Sequence, residues 1–232
     1  VNFESLMRLR VRAGVIPDPS TPIGAYRRSV TSPRILLATP VLLFGYGVVR
    51  LLDPSHSPGV VWTVSHLFYL AGFLAQAAGA VVVFRLLRDQ GSLVRRTGGT
   101  LVFVGWFGAL CGIGQATIDL LAGAGAADKA QRAAEATRLR EVIPGAEQLF
   151  YGLGPSLAAL ALIALLAIAA ARTPRYVPWW SPPLALAAAQ LPSLTLDLIP
   201  VAALLIGAAI WPVHRRLRTP SRPVAHVRTS AT

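Results

Sequence analysis

The sequence predicts an all-α, polytopic integral membrane protein: a bundle of six transmembrane helices with both termini in the cytoplasm. Three observations carry this. The chain is 54% hydrophobic and only 14% charged, against about 25% charged in an ordinary soluble domain. Its uncharged residues gather in runs long enough to cross a hydrocarbon core. Its arginines gather between those runs, on alternate sides, as the positive-inside pattern requires. Mean hydropathy is +0.56.

Residues 1–34 read as a basic arm, broken by Pro17, Pro19, Pro22 and Pro33. Met7 to Arg12 alternates apolar and basic, which suits a solvated arm or a segment on anionic lipid. No cleavable signal peptide is expected, since the first apolar run begins only at Ile35. That run, 35–52, is the first span, with Pro40 inside it and Arg50 expected to snorkel at its end. Asp53 to Pro58 makes a turn. The second span, 59–84, has no formal charge. A basic loop follows over 85–96, with a turn at Gln90-Gly91, and then the third span, 97–121.

Residues 128–142 predict a hydrophilic helix outside the membrane. Asp128 and Gln131 form a capping box, and Asp128/Arg132 and Glu135/Arg138 stand at helical pair spacing. Pro144-Gly145 ends it. The fourth span is 148–171. The stretch 176–213 holds Asp197 as its only charge. As one helix it would be ~57 Å long, nearly twice the ~30 Å core. Two spans, 176–193 and 196–213, with a hairpin around 192–197, fit better. Residues 214–232 read as a basic, disordered tail.

Charge sets the orientation. With the arm, 85–96, Arg172 to Arg175 and the tail inside, that side holds 17 of the 22 basic residues, and seven of the ten acids lie opposite. The expected location is the plasma or inner membrane. The net charge of +12 is then a topology signal, so no nucleic-acid partner is expected. Basic cytoplasmic segments near anionic lipid, and a partner membrane subunit or second copy, are the expected contacts. The single cysteine, Cys111, excludes an internal disulfide and any CxxC site. No GxSxG, HExxH or P-loop pattern is present. No cofactor and no metal are expected.

Two stripes organise the interior. Gly105, Gly108, Gly112, Gln115 and Asp119 recur at steps of 3 and 4, so they share one helix face. Its glycines would seat a neighbouring helix. Trp62, His66, Tyr69, Phe73 and Gln76 make a second stripe on the preceding span. Consecutive spans run in opposite directions, so His66 and Asp119 come to similar depth. An ionisable residue inside a membrane is a functional-site candidate. The candidate substrate-binding set is therefore His66, Gln115, Asp119, Trp62, Tyr69 and Glu147, with no catalytic set assigned. Three functions compete: a solute-binding or transport protein, a non-enzymatic scaffold or regulatory subunit, and a membrane enzyme using His66 and Asp119 as base and orienting group.

Overall fold

The computed structural model describes residues 33–53, 55 and 57–219. The expected arm up to residue 32, Pro54, His56 and the tail from residue 220 lie outside them. Among the described residues the architecture is wholly helical.

Helix α1 (Ile35–Leu52) carries Pro40 without breaking, because the freed carbonyl sits inside a packed bundle. Helix α2 (Val60–Arg85) returns. Gly91, at φ 100°, supplies the turn into α3 (Ser92–Ala124), a conformation that L side chains rarely adopt. Helix α4 (Lys129–Val142) starts at Asp128, whose carboxylate accepts the Gln131 N–H at 2.8 Å. It buries no residue. A π-helical turn (Glu147–Leu153) leads into α5 (Gly154–Arg172). Helix α6 (Ser181–Leu194) and a 3₁₀ turn (Leu196–Leu198) lead into α7 (Ile199–Arg218).

Among the described residues, five segments are long and apolar enough to cross a membrane: Ile35–Leu52, Val60–Arg85, Ser92–Ala124, Glu147–Arg172 and Leu196–Arg218. The expected span over 176–193 is not among them. Its helix, α6, has 14 residues, ~21 Å at 1.5 Å per residue. The cause is local. Pro182 and Pro183 lack the N–H that an earlier helix start would need, so they fall in the first turn, and Pro178 lies just before it. The last span also differs from 196–213. Helix α7 continues to Arg218, into the stretch expected to be disordered. Its final turns have partners: His214 Nδ1 lies 2.8 Å from the Pro33 carbonyl, and Arg216 donates to the carbonyls of Pro174 and Arg175.

Small residues set the packing. Along α1 and back along α7, Pro33 meets His214, Pro40 meets Gly207 and Gly47 meets Pro200. Each step is seven residues, two helical turns, so the helices run antiparallel in register. Arg50 and Asp197 close the seam at 4.0 Å. Arg50 therefore points along a helix partner, where the sequence expected it to snorkel. Between α3 and α5, Gly105 faces Ala161 and Gly108 faces Ala158 and Gly154, again antiparallel. Gly112 seats the Phe73 ring of α2. The glycine face thus divides between two neighbours, whereas the sequence sent it to the second span alone. Helices α1, α2, α3, α5, α6 and α7 each pack on the next, and α7 closes on α1.

Candidate functional site

The two stripes meet at the end of the bundle where α1 finishes and α7 begins. His66, on α2, is 4% exposed. Its Nδ1 lies 2.9 Å from the Trp62 carbonyl, one turn back. A carbonyl only accepts, so Nδ1 carries the hydrogen and Nε2 faces outward from that bond. Ser65 Oγ donates to the same carbonyl at 2.7 Å. His66 Nε2 stands 3.7 Å from Asp119 Oδ2. With Nδ1 protonated, a neutral imidazole would point a lone pair at a carboxylate. One proton, on Nε2 or on the carboxyl, turns that repulsion into attraction.

Asp119 is held by two hydrogen bonds besides. Tyr151 donates its phenol hydrogen to Oδ1 at 2.7 Å. The Trp62 indole N–H donates to the Asp119 backbone carbonyl at 3.2 Å, and Gly123 leaves the space for that indole. Gln115, one turn deeper on α3, accepts from Tyr69 at 3.3 Å. Glu147 does not reach Asp119. It pairs with Arg140 of α4 at 2.6 Å, at the rim. The structure thus joins His66, Asp119 and Trp62 directly, places Gln115 with Tyr69 just below, and leaves Glu147 on the edge.

Four contributors lie outside the candidate set read from the sequence. Tyr151 reaches Asp119 because the π turn rotates it inward. Pro155 is the signal: in an α-helix its ring would strike the Tyr151 carbonyl, and the wider turn relieves this. Tyr46 of α1 packs edge-on to His66 at 6.0 Å and against Tyr69 at 4.8 Å. Arg132 and Arg140 come down from α4. Arg132 Cζ lies 3.9 Å from the Trp62 ring and Arg140 Cζ lies 5.0 Å from the Tyr151 ring. Helix α4 thereby covers the cluster.

Compared with known proteins, the chain matches no family model, no curated protein and no solved structure.

Space at the site is small. A cavity of about 10 Å³, lined by Arg50, Asp53, Val61, Trp62, Ser65 and His66, has room for one water. Arg50 Nε is buried beside it with no hydrogen-bond partner among the protein atoms. A wider open groove of about 280 Å³ runs between α4 and the π turn, past Thr137, Arg140, Pro144 and Glu147. Among the described residues, no group of three His, Cys, Asp or Glu stands close enough to hold a metal.

Proposed function

We propose that this chain is a six-crossing membrane protein that binds a small polar solute at the His66–Asp119 cluster, on the extracytoplasmic side, with α4 as a cover. The observation that carries the solute reading is the buried pair itself. An imidazole and a carboxylate 3.7 Å apart inside an apolar bundle cost more than hydrophobic side chains of the same volume would. Such groups are retained where protons or solutes are handled.

The sixth crossing is the proposed role of α6. Helix α5 ends at Arg172, close to where α7 ends, since Arg216 bonds the 174–175 carbonyls. Helix α7 begins at the opposite end, where Asp197 meets Arg50. The chain from 173 to 198 makes the passage between them. Both termini are then cytoplasmic, and the basic loops 85–96 and 172–175 lie near anionic lipid. Single cysteines at Gln90 and Gln131, in a Cys111→Ala background, test this with an impermeant thiol reagent on intact cells. Labelling is expected at Gln131 and absent at Gln90; the reverse inverts the protein.

A second reading, a scaffold or regulatory subunit, is favoured by how little space the interior leaves. Thermal melting in detergent against a panel of small polar solutes separates the two. Under the solute reading, at least one solute raises the melting temperature of the wild type and leaves His66→Ala unmoved. Under the scaffold reading no solute acts, His66→Ala lowers stability, and adding Asp119→Asn restores part of it. That coupling is expected at about 0.5–3 kcal/mol.

A further inference from the structure

We propose that the Trp62 face is a binding site for an organic cation, a guanidinium or ammonium group, and that Arg132 is its tethered occupant. This rests on the solute-binding reading above and names the class of the solute. The Trp62 ring is held rigidly: its N–H is spent on the Asp119 carbonyl at 3.2 Å, and its edge fills the gap at Gly123. One guanidinium already lies 3.9 Å from its centroid. Burial pulls the Arg132 group below its ordinary value; Asp119 pushes the other way, Arg50 adds to the lowering, and Asp53 again favours the charge. The fixed indole face, already holding one guanidinium, is what recognises a cation; Asp119 and Asp53 offset part of the cost set by burial and Arg50.

The occupant belongs to an element able to leave. Helix α4 buries no residue. Before it runs Gly123-Ala124-Gly125-Ala126-Ala127, and after it Pro144-Gly145, with Gly145 at φ 77°. Another arginine of the helix, Arg140, lies eight residues on, on the same helix face, over Tyr151. The two arginines therefore sit on the two side chains that donate hydrogen bonds to Asp119. A free cation and Arg132 compete for one aromatic face. The tether holds the arginine at an effective concentration in the millimolar range, so α4 must lift before a solute can take its place.

Ligand-observed NMR titration of methylguanidinium chloride into the detergent-purified full chain tests this, with ionic strength held by sodium chloride. Arg132→Ala is expected to bind the probe about tenfold tighter than the wild type, which carries its own competitor. Adding Trp62→Leu to Arg132→Ala is expected to abolish that binding. Equal affinity in wild type and Arg132→Ala, or binding that survives Trp62→Leu, overturns the proposal. So does absence of binding to Arg132→Ala that melts cooperatively; where that variant does not fold, Arg132→Gln keeps the aliphatic stem and makes the same comparison. Failure here with a His66-dependent solute still found by melting would remove the cation and keep the solute site. Failure of both would remove both.

Discussion

At the His214 end of the bundle, Leu87, Leu165, Leu166, Val83, Val177 and Val213 are wholly buried in one apolar cluster. At the Asp119 end the same helices meet through an imidazole, a carboxylate, two phenols and an indole. Each polar group there depends on a few named partners, whereas each leucine at the other end packs within an apolar cluster. The first kind of contact specifies geometry, and the second supplies cohesion that tolerates adjustment. In a membrane the distinction is sharper than in water. Separated helices remain in hydrocarbon, so a buried leucine gains packing but little transfer energy.

This difference can be broken from either side. The larger effect is expected at the apolar end. Leu165→Ala should lower unfolding stability in detergent by about 2 kcal/mol, the low end for a buried leucine, because the unfolded reference keeps the side chain out of water. It should leave any solute-induced melting shift unchanged. At the polar end, Tyr151→Phe removes one hydrogen bond to Asp119 and little volume. Its expected cost is about 0.6 kcal/mol, the average for side-chain bonds between membrane helices, and at most about 1.7 kcal/mol. It should alter the solute response, since the carboxylate loses the donor that orients it. A Leu165→Ala protein that loses its solute response while still folding would mean that the two ends are coupled and the contrast is false.

Sequence period alone brought His66 and Asp119 to one depth. Steps of 3 and 4 fix a face, and a short basic turn forces neighbouring helices to run oppositely. The glycine face was legible, but its partners were not. Five residues spread over nearly four turns outreach one neighbour, so Gly105 and Gly108 turn to α5 while Gly112 keeps Phe73. Tyr151 was hidden because α-helical spacing does not hold through the π turn. The short α6 was hidden because apolar composition measures hydrophobicity, while its length is set by where prolines allow hydrogen bonding to begin. The covering role of α4 was beyond any periodic pattern, since a helix with no buried face reads as solvated.

The seven-residue register between α1 and α7 bears on how the chain is made. Among the described helices the first, α1, forms a regular antiparallel seam with the last, α7. Until α7 emerges, Pro40 and Gly47 of α1 have no partner and face lipid or the insertion machinery. Assembly therefore finishes as a closure, not as an accretion. A ribosome stalled before residue 199 leaves α1 packed on α2 without its α7 seam, a half-made product with an open flank for quality control to recognise.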